Sequence, residues 1–214
     1  MQKRKGFTLI EAASMIIILG CMAGSMLGRK VKLDQATHQN QFTAMVSALE
    51  LGWNTVYSAK RIKANTANGF SDGQNLYCFF GTSTALLATF APTTPTSVCD
   101  SLTYAAQSQS TRNNYCQSIF TGLLRQPPAI AGLASENFPP VPSGFTGSLT
   151  PALRALIPDP NNYPGFLWVG MDDANPATNT CTFVYLPGQG YGQVWLVQYN
   201  RGTSTFANYQ LSVF

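Results

Sequence analysis

Charge is scarce in this chain. Charged residues make up 10% of its 214 residues, against roughly 25% in an average soluble domain. The shortage is sharpest after Ala64, where Arg112, Arg125, Arg154 and Arg201 face Asp72, Asp100, Glu136, Asp159, Asp172 and Asp173. Thr, Ser, Asn, Gln and Gly supply the polar surface instead, which is the look of an exported, surface-exposed domain. Histidine is represented by His38 alone, and no proline precedes Pro92. A lone histidine beside Thr37 and Gln39 leaves no general base with an orienting partner. Gly-x-Ser-x-Gly, His-Glu-x-x-His and phosphate-loop motifs are missing as well. The expectation is therefore no enzyme, no cofactor and no resident metal.

The net charge of +4 says little about partners. Lys3, Arg4 and Lys5 account for most of it, and the head arginines are far apart and outnumbered by acids. That argues against a nucleic-acid partner, which would need clustered bases.

The chain has five cysteines. Cys21 lies in an apolar run, where it and Met22 read as packing groups. Cys78, Cys99, Cys116 and Cys181 form an even set downstream, consistent with two disulfides in an oxidising compartment. Three connectivities are open to four cysteines; we favour Cys78–Cys99 with Cys116–Cys181. Metal binding is the competing reading, weakened by the absence of a Cys-x-x-Cys pair.

What the chain does have is a long apolar start. From Phe7 to Leu27 a single charged residue, Glu11, interrupts apolar and small residues. As a helix this stretch would rise roughly 30 Å, a bilayer's thickness. A secretory signal peptide has a similar layout. Here, however, the run is too long and continues into Arg29, Lys30 and Lys32 without an Ala-x-Ala-like site. Bases flank both ends, so the positive-inside rule does not orient it. Glu11 needs a partner, because a lone carboxylate deep in a bilayer costs about 2.5–3.5 kcal/mol on insertion scales.

The residues KGFTLIEAA at positions 5–13 resemble the N-terminus of type IV pilins and the related pseudopilins. The basic leader, the Gly6–Phe7 junction, the acid at Glu11 and the apolar run occur in that family's order. The resemblance implies cleavage between Gly6 and Phe7 by a prepilin peptidase and methylation of the new amine on Phe7. It also implies pairing of that amine with Glu11 of a neighbouring subunit. The implied partners are copies of the chain in a filament, the peptidase, an inner-membrane assembly platform, and the membrane before assembly. The implied localisation is a single-pass inner-membrane protein that becomes an extracellular or periplasmic filament. The function implied is that of a pilus subunit. A type II secretion pseudopilin, or a minor tip pilin for adhesion or DNA capture, are the alternatives.

The helical pattern continues past the apolar run. Val31, Gln35, Phe42, Met45, Val46, Leu49, Trp53, Val56 and Tyr57 recur at spacings of three and four. Lys60, Arg61 and Lys63 suit a helix C-terminus. The spacing predicts one helix from Phe7 to about Ile62. Gly20, Gly24 and Gly28 recur every four residues. They would either permit close helix contact or weaken the helix, at about 1 kcal/mol each against alanine.

Four strand-like runs close the chain: Gly165–Met171, Cys181–Leu186, Gln193–Tyr199 and Phe206–Val213. Gly- and Asn-rich turns between them predict an antiparallel meander. The stripe of the long helix is its expected cover on one face. The expected fold class is α+β, with a helical spine, transmembrane in its first half, packed on a C-terminal four-stranded antiparallel sheet. The expected organisation is a leader over 1–6, an assembly and transmembrane half-helix over 7–28, an amphipathic half-helix over 29–62, and a head over 63–214. Tyr77–Phe80 suggests an edge strand, and Asn113–Leu124 and Pro151–Leu156 suggest short helices. The proline-rich stretches near Pro92 and from Gln126 read as outward-facing surface loops. The loop DDANPATNT offers oxygens from Asp172, Asp173, Asn175 and Asn179. Calcium favours such ligands, but the spacing fits a structural turn better than an EF-hand.

Overall fold

The computed structural model describes residues 9–63, 68–79, 86–102, 107–130, 132–133, 141, 147–148, 151–157, 165–166, 180–187 and 193–212. Helix α1 runs Leu9–Lys63, 55 residues without a proline. The chain divides into two compact units, Met1–Gln41 and Phe42–Phe214, so α1 contributes to both.

In the first unit every residue from Ala13 to Met22 is exposed. Met15, Ile16, Ile17, Ile18 and Leu19 are consecutive and between 55% and 71% accessible. Consecutive helical residues point in all directions around the axis, so this stretch has no polar side.

The second unit is built on the amphipathic part of α1. Phe42, Met45, Val46, Leu49 and Val56 are buried, while Thr43, Ala44, Ser47, Ala48, Glu50 and Leu51 between them are exposed. That is the stripe that the three-and-four spacing requires. Strands β1 (Gly69–Ser71), β2 (Leu76–Phe79) and β3 (Leu86–Phe90) form an antiparallel sheet in the order β1-β2-β3. Three helices follow: α2 (Ser97–Asp100), α3 (Gln109–Leu123) and α4 (Pro151–Leu156). The Ser108 hydroxyl caps α3 by accepting from the Thr111 amide.

A second antiparallel sheet has the order β4-β5-β6-β7. Here β5 is Thr180–Leu186, β6 is Gln193–Asn200 and β7 is Thr205–Ser212. The two-residue β4, Gly165–Phe166, pairs with the end of β5. One core joins α1, α3 and both sheets, through Phe42, Leu49, Phe79, Leu86, Phe120, Phe183, Trp195 and Tyr199 among others. Phe120 and Phe183 meet at 4.8 Å between ring centroids, and Phe42 lies 6.2 Å from Tyr185.

The expected fold class needs two corrections. The strands form two separate antiparallel sheets, not one. The first has three short strands, and the second has three long ones with the two-residue β4 as its edge. Of the first sheet the sequence marks only β2, close to the expected edge strand Tyr77–Phe80; β1 has three residues and β3 is buried almost throughout, so neither shows an apolar–polar alternation. Secondly, among the described residues no helix is long and apolar enough to cross a membrane. The apolar run of Leu9, Ile10, Met15–Leu19, Cys21, Met22, Met26 and Leu27 is interrupted by Glu11 and Ser14. Gly20, Ala23, Gly24, Ser25 and Gly28 within and after it carry little hydrophobic surface. The transmembrane first half of the spine and the single-pass inner-membrane localisation are both overturned by that finding.

A third difference concerns cover. Register places Phe183, Tyr185, Trp195, Val197 and Tyr199 on one face of the second sheet, and Thr182, Val184, Leu196 and Gln198 on the other. Both sets are buried. The helix stripe alone does not account for that, and part of the second cover comes from the proline-rich stretch. Val141 donates its amide to Gln198 Oε1 at 2.8 Å. Its carbonyl accepts from the Tyr209 hydroxyl at 3.0 Å. At Val141, at least, this stretch is buried in the head rather than facing outward.

Candidate functional site

Of the residues singled out from sequence, Gly6 and Phe7 lie outside the described residues, as do Asp172, Asp173, Asn175 and Asn179. Glu11 belongs to α1, but its side chain is outside the description. Gly20, Gly24 and Gly28 also lie in α1. A Cβ built on Gly20 would meet nothing within 4 Å, so none of the described residues presses on the helix there. The surroundings of Gly24 and Gly28 are outside the description. Cys21 is an exposed free cysteine, not a packing group within its own chain. His38 is half-buried on α1. Among the described residues no group of three His, Cys, Asp or Glu could hold a metal ion.

Two arrangements stand out. The first is the exposed apolar segment Ala13–Met22 described above. The second is a buried junction around the disulfides. Cys78–Cys99 and Cys116–Cys181 are both bonded, with Cα–Cα separations of 5.1 and 5.4 Å. This is the connectivity favoured from sequence. Their surroundings differ. Cys78 and Cys99 sit in an apolar cluster with Leu76, Phe90 and Leu102. Cys116 and Cys181 sit beside a cation. Arg201, 3% exposed, donates from Nη2 to the Leu87 carbonyl at 3.2 Å. The same nitrogen is 3.2 Å from Cys181 Sγ and 3.5 Å from Cys116 Sγ.

Tyr199 completes the junction. Its hydroxyl accepts the Leu86 amide at 2.9 Å. Burial pushes the phenol up from its ordinary pKa, opposed by that hydrogen bond and by the Arg201 charge, and its proton is held. Two residues near the end of β6 thus grip two successive residues of β3, while the disulfide ties α3 to β5. Arg201 was counted from sequence only as one of four scattered head arginines. No local signal marks it as buried, because its partners lie 20, 85 and 114 positions away in the chain.

A smaller network braces the β1–β2 turn. Asp72 Oδ1 accepts from the Gln74 and Asn75 amides, each at 2.8 Å. Its Oδ2 accepts from the Tyr77 hydroxyl at 3.0 Å. Gly73 takes φ +90° there, a conformation that glycine adopts without a Cβ penalty. Desolvation would raise the Asp72 carboxyl, but the hydrogen bonds from Asn75, Gln74 and Tyr77 outweigh it and hold the pKa below its ordinary value. Desolvation, with Asp72 beside it, pushes Tyr77 up to about 12 against the opposing Asn75 contact. The Asp-Gly pair in SDGQ is the sequence signal for this turn.

No family model, curated protein or solved structure matches this chain.

Proposed function

We propose that this chain is a pilin-like structural subunit, cleaved between Gly6 and Phe7 and polymerised with copies of itself through the first part of α1. The observation that carries the reading is the exposure of Met15, Ile16, Ile17, Ile18, Leu19 and Met22 around the helix. A helix that is apolar on all sides is a buried helix, and its own chain does not bury this one. Covering six such side chains is worth on the order of 10 kcal/mol, at about 1.5–3 kcal/mol for full burial of each. Association costs about 4–15 kcal/mol, so one neighbour covering one side is marginal. A bundle in which each helix is surrounded by like helices is favourable.

Glu11 supports the same reading. In such a bundle it would face the Phe7 amine of an adjacent copy. The pair adds little net stability once desolvation is counted, but a slipped register would leave both charges buried and unpaired. The bland, weakly charged head and its two disulfides fit a subunit displayed outside the cell.

The test is assembly. The full chain is expressed with a prepilin peptidase, and sheared or sedimented fibres are examined by electron microscopy and N-terminal sequencing. We expect fibres whose subunits begin at Phe7. Ile17→Asp should abolish them while leaving both disulfides formed in the soluble fraction. Fibres from Ile17→Asp at parental yield, or subunits that begin elsewhere, would overturn the reading.

A further inference from the structure

We propose that Arg201 makes the Cys116–Cys181 disulfide a redox-responsive lock on the head, opened by a small dithiol with Cys181 as the leaving group. The proposal is independent of the assembly reading. It rests on position: a guanidinium nitrogen, inside the core, lies 3.2 Å from Cys181 Sγ and 3.5 Å from Cys116 Sγ. A cation beside a cysteine stabilises its thiolate. A sulfur that leaves as a stabilised thiolate leaves faster and more completely. Cys78 and Cys99 sit instead among Leu76, Phe90 and Leu102, where an anion would be disfavoured.

The chemistry balances as ordinary exchange. A thiolate of the dithiol attacks Cys116 Sγ. The protein S–S bond breaks, and its electron pair stays on Cys181 as a thiolate beside Arg201. The second thiol of the reductant loses its proton to solvent and displaces Cys116, which leaves as a thiolate and is protonated. Two electrons pass to the protein, and the reductant closes into its own disulfide.

Access and equilibrium are set by different features. Both sulfurs belong to fully buried residues, so a reductant reaches them only when the head opens locally. That limits the rate. Arg201 acts on the equilibrium, because it favours the reduced form that holds an anion. The bond links α3 to β5 beside the point where Arg201 holds the Leu87 carbonyl of β3. Reduction redirects the guanidinium toward Cys181 and loosens the contact between β3 and the second sheet.

The experiment equilibrates the full chain, without oxygen, across ratios of reduced to oxidised dithiothreitol. Thiols are trapped by alkylation under denaturing conditions, and each disulfide is read by mass spectrometry. Arg201→Met should shift the Cys116–Cys181 equilibrium about tenfold toward the disulfide. Arg201→Lys should retain most of the parental value, and Cys78–Cys99 should move in neither. An unchanged constant in Arg201→Met overturns the proposal, as does an equal shift at both bonds. Should Arg201→Met fail to fold, the parental chain decides. Treated with a monothiol, it should carry the mixed disulfide at Cys116 with Cys181 free. Capture chiefly at Cys181 would refute the assignment.

Discussion

The Gln198 side chain bridges Val141 and Thr182: its Oε1 accepts the Val141 amide, and its Nε2 donates to Thr182 Oγ1 at 2.8 Å. All three groups are buried. Gln198→Leu keeps the volume roughly but leaves the Val141 amide without its acceptor. A buried donor stripped in this way costs about 1–3 kcal/mol. We expect the denaturant midpoint to fall accordingly, and the Val141 amide to exchange with solvent much faster than its neighbours in β6. Unchanged exchange at Val141 would mean that the stretch is held by something other than this side chain.

Two glycines of α1 should respond in opposite ways to alanine. A Cβ on Gly52 would come within 2.5 Å of the Leu123 carbonyl oxygen, a backbone atom at the end of α3. The two helices must separate to admit it, and overpacking of this kind costs roughly 1–3 kcal/mol. That outweighs the gain of about 1 kcal/mol in helix propensity. Gly20 has nothing within 4 Å, so Gly20→Ala in the unassembled chain should keep the propensity gain. Thermal unfolding by circular dichroism should show Gly52→Ala lowered, with Gly20→Ala equal to or above the parent. A higher melting temperature for Gly52→Ala would contradict the close approach.

The Asp72–Tyr77 pair predicts stability losses at both ends of the pH range. The Asp72 pKa is lowered in the folded chain. Its contribution is full above the unfolded value of about 3.9 and is lost as pH falls through the folded value. The Tyr77 pKa is raised to about 12. Its contribution is full below the unfolded value of about 10 and is lost as pH rises from there through the folded value. Tyr77→Phe should therefore flatten the alkaline limb between about pH 10 and 12 and weaken the acid limb in part. Asp72→Asn should remove the acid limb's share outright. Urea midpoints across pH test this; an alkaline limb unchanged by Tyr77→Phe would place the titrating group elsewhere.

What was legible in the sequence followed the length of the signal. The stripe from Phe42 to Tyr57 spans more than four turns, so its period is plain, and α1 ends at Lys63 where the basic residues cluster. The hairpins of β5, β6 and β7 were visible because each strand has seven or eight residues and the turns between them carry glycine. In the first sheet β2 was legible as the edge strand at Tyr77–Phe80, but β1 and β3 are short and follow no alternation: Leu86, Leu87, Ala88 and Thr89 are all buried. The Arg201 junction was illegible for another reason. Its parts come from β3, α3, β5 and the end of β6, and only folding brings them within hydrogen-bonding distance. The apolar run at the start was legible as apolar. Glycine, alanine and serine dilute it, and among the described residues no helix is long and apolar enough to cross a membrane.

The bond between Cys116 and Cys181 closes a ring over a sequence separation of 65 residues. The ring takes in the proline-rich stretch, α4 and β4. A protease that cuts once anywhere inside it severs the backbone without parting the pieces. On a gel run without reductant, the nicked molecule would migrate as a single species of full mass; with reductant, it would resolve into two. A single cut in this region therefore leaves the head covalently whole for as long as its surroundings stay oxidising.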